Sequence, residues 1–179
     1  HFLRSRWQAT RWAGAPSSDQ SSGADARQWS TRRLQRLWNG QPVVGSIFAA
    51  TSHRIGAGVY HARWGGGAYF NSEKVEVAKE SSPLVLAGLP AHHRKPIRFA
   101  GQSRDRRVEA RSLGSIALEL TLAACGVLEY AIFASPKAWD VAAGVLLAKE
   151  AGGEVLSRER QGGPWLPLER FPVPSPDGG

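Results

Sequence analysis

With 179 residues, 42% of them hydrophobic and 21% charged, the chain is long enough for one domain with a sizeable core and too ordinary for a disordered or fibrous protein. Its lone cysteine, Cys125, excludes an internal disulfide framework and suits a reducing compartment; no apolar run reaches the roughly 18–20 residues of a membrane helix. The net charge of +8 is lopsided, because seven arginines against Asp19 and Asp25 in residues 1–40 carry five of the eight charges.

Residues 1–38 form an atypical basic segment with four tryptophans and seven arginines but no Val, Ile, Lys, Glu or Tyr. Ser17 to Gly23 is a loop composition, and neither a helical nor an alternating period stands out around it. Arg27 to Trp38 is compatible with a short basic helix, although Trp29, Leu34, Leu37 and Trp38 make a poor stripe. His1 to Arg11 is basic with no apolar core behind it, which does not match a secretory signal; a soluble cytoplasmic protein is expected. A segment of this character is expected to be disordered, or to be an out-of-frame or foreign start joined to a genuine domain. Comparison of the coding DNA in all three frames checks this.

From Gln41 the character changes. Pro42 to Ala49 is rich in β-branched and aromatic residues, as is Gly58 to Arg63, and each predicts a strand. Gly65-Gly66-Gly67 turns the chain into Ala68 to Asn71, and Lys74 to Val77 alternates like a half-exposed edge strand. No Gly-Lys-Ser/Thr or helix follows the glycines, so a turn fits better than a phosphate cradle. Pro83 to Gly88 is the next expected strand, which puts an antiparallel meander over 42–88. His92 and His93 sit in a basic turn with no third ligand nearby, so a solvated loop is expected there and not a metal site.

A strand–helix alternation then begins. Arg107 to Ala110, Leu128 to Phe133 and Glu154 to Leu156 predict strands; Ser115 to Cys125, stopped by Gly126, predicts an apolar helix with Cys125 as a packed thiol. Ala138 to Gly153 predicts a buried helix that is apolar on nearly every face up to Lys149 and stopped by Gly152-Gly153. Asp140 lies in its first turn, where free N–H groups and the positive dipole end favour a carboxylate. Such β-α-β units build parallel sheet. The loops carrying Gly114-Ser115 and Asp140 both follow strands and open helices, so they converge on one sheet edge, where α/β proteins place ligands. Ser115 and Asp140 could each be an ordinary helix cap or a ligand contact. No Gly-x-Ser-x-Gly elbow makes Ser115 a nucleophile, and no catalytic residue is assigned. Residues 164–179, rich in proline and glycine, make an irregular tail.

Trp139-Asp140-x-Ala142-Ala143-Gly144 followed by Glu150-Ala151-Gly152-Gly153 resembles the C-terminal signature of the inositol monophosphatase family of magnesium-dependent phosphomonoesterases. Propeller repeats also carry Trp-Asp, but no period of about 40 residues recurs here. Asn39-Gly40-Gln41-Pro42-Val43-Val44-Gly45-x-Ile47 with Gly66-Gly67-Ala68-Tyr69, and Gly114-Ser115-x-Ala117-Leu118-x-Leu120, are similar to further stretches of that family. The resemblance covers about Asn39 to Gly153. It implies an α/β fold with a mixed sheet, an antiparallel meander followed by a β-α-β-α-β unit, like the C-terminal part of the layered sugar-phosphatase fold. Residues 39–179 are then a partial domain of this kind. It further implies Mg²⁺ as cofactor, Asp140 as a metal ligand, and Gly114 and Ser115 as substrate contacts, with Trp139 packed behind the site.

The family's Asp-Pro-Ile/Leu-Asp-Gly-Thr metal motif, expected before Asn39, is absent, as is its early glutamate; of the metal set only Asp140 remains. Little or no phosphatase activity is therefore expected of this chain alone. Phe133 stands where the inositol-selective members carry a substrate-contacting glutamate, which leaves other sugar phosphates, nucleoside bisphosphates and histidinol phosphate open. The partners implied are a small-molecule phosphate ester and a second copy in a homodimer, with no membrane. Two alternatives stand beside hydrolysis of a phosphate monoester: an inactive fragment or pseudoenzyme acting through protein–protein contacts, and a basic nucleic-acid-binding protein acting through residues 1–38. The last is disfavoured, since no recognition helix, zinc site or stacking platform accompanies the arginines.

Overall fold

A computed structural model describes residues 31–50, 55–78, 84–89, 107–160 and 163–172. Residues 1–30 and the pair His92 and His93 lie outside them. Five strands form an antiparallel meander in chain order: β1 (Thr31–Trp38), β2 (Gln41–Ala49), β3 (Gly58–Arg63), β4 (Gly67–Phe70) and β5 (Glu73–Val75). Three more strands, β6 (Leu84–Gly88), β7 (Arg107–Arg111) and β8 (Tyr130–Ala131), form a parallel sheet in the order β7-β6-β8. Helices α1 (Ile116–Ala124) and α2 (Ala138–Glu150) follow β7 and β8, and β9 (Leu156–Ser157) pairs with β10 (Leu166–Pro167). The α/β class and the sequence of meander, then strand–helix units, are as expected. Among the described residues no helix is long and apolar enough to cross a membrane.

Four expectations are corrected. Thr31–Trp38 is a strand, not a helix, paired along its length with β2. Asn39 and Gly40 both have positive φ (46° and 77°), as a two-residue hairpin turn requires, and this Asn-Gly turn sets the pairing. The strand Leu84–Gly88 belongs to the parallel sheet, not to the meander. The strand after α2 leaves the parallel sheet and pairs antiparallel with Leu166–Pro167, so the tail is regular at that point.

The meander has an inner and an outer face with period two. Gln35, Gly45, Ile47, Ala49, Tyr60, Ala62 and Ala68 point inward and are buried, whereas Leu34, Val44, Phe48 and Val59 point outward and are exposed. The inner face packs on α2, whose residues Val141 to Ala148 are all buried, and α1 lies alongside α2 and reaches β8. Glycine sets the closeness of both contacts. A Cβ on Gly45 would lie 2.9 Å from the Ala143 Cα, and one on Gly144 2.5 Å from Leu120. Tyr60 stacks on Phe70 at 4.6 Å and donates its hydroxyl to the Gly56 carbonyl at 2.8 Å; burial pushes its pKa up to about 12. Cys125 packs against the same core, and burial raises its thiol to about 11, which makes it inert at neutral pH.

The three glycines form a turn, as expected, but the turn also holds an anion. Gly65 N–H and Gly67 N–H donate to the two carboxylate oxygens of Glu150 at 2.7 and 2.8 Å. The last residue of α2 is thereby tied to the β3–β4 hairpin, while Gly152 (φ 91°) ends the helix as the sequence implied.

Candidate functional site: two helix mouths on one sheet edge

β6, β7 and β8 run parallel, and Gly88 at the end of β6 is opposite both Arg111 and Ala131. The loops into α1 and α2 therefore leave the same edge, as the β-α-β pattern predicts. Gly114 and Ser115 stand at the mouth of α1 and Asp140 in the first turn of α2.

At the first mouth, Ser115 is the N-cap in extended conformation, and its hydroxyl accepts the Leu118 N–H at 3.4 Å. Gly114 has φ 72° with open space where a Cβ would be, so conformation and not crowding calls for glycine. The loop is held from below by Glu119, a buried carboxylate that accepts N–H groups from Leu113 (2.8 Å) and Gly114. Burial raises its pKa above the ordinary 4.5, and the two backbone N–H groups pull it part of the way back. Its folded pKa therefore lies above its unfolded one. Its contribution to stability is greatest below about 4.5 and declines as pH rises through the raised value. Thermal unfolding of Glu119→Gln across pH 4–7 is expected to show a flatter profile than the wild type; identical profiles would count against this assignment.

At the second mouth, the Asp140 carboxylate is engaged by the Arg33 guanidinium from the inner face of β1. Arg33 Nε also donates to the Trp139 carbonyl at 2.9 Å, and Gln35 Nε2 donates to the same oxygen at 2.9 Å. Gln35 Oε1 accepts the Ala143 N–H at 3.0 Å, so this buried amide bridges successive turns of α2. Both Asp140 and Arg33 keep about a third of their side-chain surface exposed. Asp140 is not the cap: the N-cap is Lys137, which makes no side-chain cap bond. Trp139 does not pack behind the site, because 51% of it is exposed and only its carbonyl serves the clamp. Phe133 packs with Leu120, Val141, Val145 and Phe171.

Magnesium needs oxygen ligands in octahedral array. Among the described residues no three His, Cys, Asp or Glu side chains come together as a metal site, and the Asp140 carboxylate already faces a cation. A guanidinium hydrogen-bonded to the carboxylate repels any second cation brought to the same oxygens. The described residues do not fit a magnesium ion.

Arg33, Gln35 and Glu119 are not singled out by sequence, and Glu150 only as part of the family signature, without its hold on the glycine turn. Arg33 and Gln35 lie in a segment without a period, and Glu119 sits in an apolar helix where a charged residue suggests the exposed side.

The sequence pattern of the inositol monophosphatase family matches residues 35–176. Among curated proteins, "Inositol monophosphatase 2" of Solanum lycopersicum is 39% identical over 127 residues, 65% of this chain and 46% of that protein. "Inositol-1-monophosphatase" of Bacillus subtilis is 32% identical over 141 residues, 75% and 51% respectively. Among solved structures, inositol monophosphatase-II of Staphylococcus aureus superposes with TM-score 0.55 at 28% identity over 70% of this chain and 48% of that one. A structure of SaIMPase-II with inositol monophosphate bound superposes with TM-score 0.56 at 27% identity, covering 70% and 50%. The chain spans about half the length of the curated relatives it matches.

Proposed function

The chain belongs to the inositol monophosphatase family, and from that premise we propose that it carries the C-terminal half of a magnesium-dependent phosphomonoesterase. The substrate class is a phosphate monoester of inositol, another sugar or a related metabolite, and the compartment is the cytoplasm. The observation that carries the reading is the placement of Asp140 and Ser115 at neighbouring helix mouths on one edge of a parallel sheet. Ser115 and the first N–H groups of α1 offer donors to phosphate or hydroxyl oxygens. Glu119 holds Gly114 and Ser115 in place for that contact. Asp140 is the carboxylate this half gives to the metal set of a whole enzyme. The inositol monophosphate held by the staphylococcal neighbour supports the ester class.

A chimaera tests this: residues 39–172 replace the matching half of the Bacillus relative, whose own earlier half is kept. Magnesium-dependent release of phosphate from inositol monophosphate or p-nitrophenyl phosphate is expected. Asp140→Asn in the chimaera is expected to lower it by about 10²-fold or more, since metal ligation contributes several kcal/mol to such reactions. A folded chimaera whose turnover ignores that substitution would overturn the reading. The chain by itself, with Asp140 engaged, is expected to turn over little or no ester.

A second reading, an inactive partial domain working through protein contacts, is favoured by the outer sheet face. Leu34, Val44, Phe48 and Val59 are each at least 40% exposed there, and Phe48 and Val59 are direct cross-strand partners. Light scattering that finds only monomer, with no Mg²⁺-independent binding partner for this face, would remove it. For residues 1–38 the accompanying proposal is a reading frame displaced from that of the domain.

A further inference from the structure

We infer that Arg33 is an internal cation standing in for a divalent metal at Asp140, so that this chain holds its α2 mouth together without magnesium. Three observations carry it. The guanidinium bonds the Asp140 carboxylate and, through Nε, the Trp139 carbonyl one residue earlier. Beside it Gln35 bridges the Trp139 carbonyl and the Ala143 N–H, so β1 presents two consecutive inward side chains that together clamp the first turns of α2. Among the described residues no group of three or more acidic, histidine or cysteine side chains forms at Asp140. A fixed positive charge thus meets the Asp140 carboxylate, and the planar fork of arginine suits a carboxylate and a carbonyl at once.

The consequence is a reversal of role. In this chain Asp140 is a structural anchor between β1 and α2, and a divalent cation has to displace Arg33 to reach it. The inference rests on the phosphatase reading only for the choice of magnesium; the ion pair itself does not depend on it.

The test is thermal unfolding of the full chain at matched ionic strength, with and without about 10 mM MgCl₂, for wild type, Arg33→Gln, Asp140→Asn and the double variant. Both single changes are near-isosteric at positions about a third exposed. The wild-type Tm is expected to be unmoved by magnesium. Each single variant is expected to lower Tm by about 1–4 °C, and the double variant by no more than the larger single, as a coupled pair requires. A parallel titration with Mn²⁺ read by electron paramagnetic resonance is expected to detect no site lost on Asp140→Asn. A magnesium-dependent rise in the wild-type Tm that vanishes in Asp140→Asn, or additive effects of the two substitutions, would overturn the inference. Neither result bears on the chimaera, in which Arg33 is absent, so the two failures are distinguishable.

Discussion

Replacing Gly45 with valine is expected to lower the stability of the chain by about 3 kcal/mol, at the upper end of overpacking in a well-packed core. The expectation follows from what the new side chain would strike. Its Cβ would lie 2.9 Å from the Cα and 3.1 Å from the carbonyl oxygen of Ala143, and these are backbone atoms of a helix buried from Val141 to Ala148. A flexible side chain could swing aside, but a buried helix moves only as a body. If α2 moves away from β2, its first turn leaves Arg33 and Gln35 as well, and the candidate site opens. Gly144→Val, which would bring a Cβ within 2.5 Å of Leu120 on α1, is expected to act in the same direction from the other side of the helix. Urea unfolding measures both. A midpoint within error of wild type at unchanged m-value would mean that the helix does not sit this close to the sheet.

Gln35→Leu is the second large effect, at about 2 kcal/mol. The side chain is 8% exposed, and its amide satisfies the Ala143 N–H and shares the Trp139 carbonyl with Arg33. Leucine fills a similar volume but removes both bonds that tie β1 to the first turns of α2, and losing buried hydrogen-bond partners costs roughly 1–3 kcal/mol. Hydrogen exchange reports the site directly: the Ala143 amide should lose protection in the variant while amides at the far end of α2 keep theirs. Unchanged protection at Ala143 would place β1 elsewhere than against α2.

Much of this architecture is legible in the sequence because the signals are local and repeated. β2 and β3 are marked by β-branched and aromatic residues, α1 and α2 by long apolar runs closed by Gly126 and Gly152. The convergence of Gly114-Ser115 and Asp140 on one edge follows from alternating strand and helix alone. What could not be read depends on partners distant in sequence. β1 has no apolar alternation, since its inward positions include Arg33 and Gln35, which find polar partners on α2 more than 100 residues away. The Asn39-Gly40 turn was the local signal for that hairpin. β6 resembles a meander strand by composition, and only its pairing with β7 and β8 reveals otherwise. β9 was expected beside the parallel strands, but its pairing is decided by the return of Leu166–Pro167. Glu119 stayed hidden because its carboxylate turns back under the loop before its own helix.

The account turns on a basic strand, Arg32-Arg33-Leu34-Gln35-Arg36, lying where the resemblance places an acidic metal motif ahead of Asn39. The standard genetic code gives the proposed displacement of frame a definite form. Codons for Ser30-Thr31-Arg32-Arg33-Leu34, entered one nucleotide later, can spell Pro-Leu-Asp-Gly-Ser, which matches the family's Asp-Pro-Ile/Leu-Asp-Gly-Thr from its proline on, with serine for threonine; the Trp29 codon puts glycine where the first aspartate stands. The choice among synonymous codons decides. Sequencing the coding DNA across Trp29 to Asn39 is therefore the most direct measurement. A frame displaced by one nucleotide that spells Pro-Leu-Asp-Gly-Ser across those codons is the predicted result. A coding sequence that yields no Asp-Gly pair in either displaced frame would contradict it.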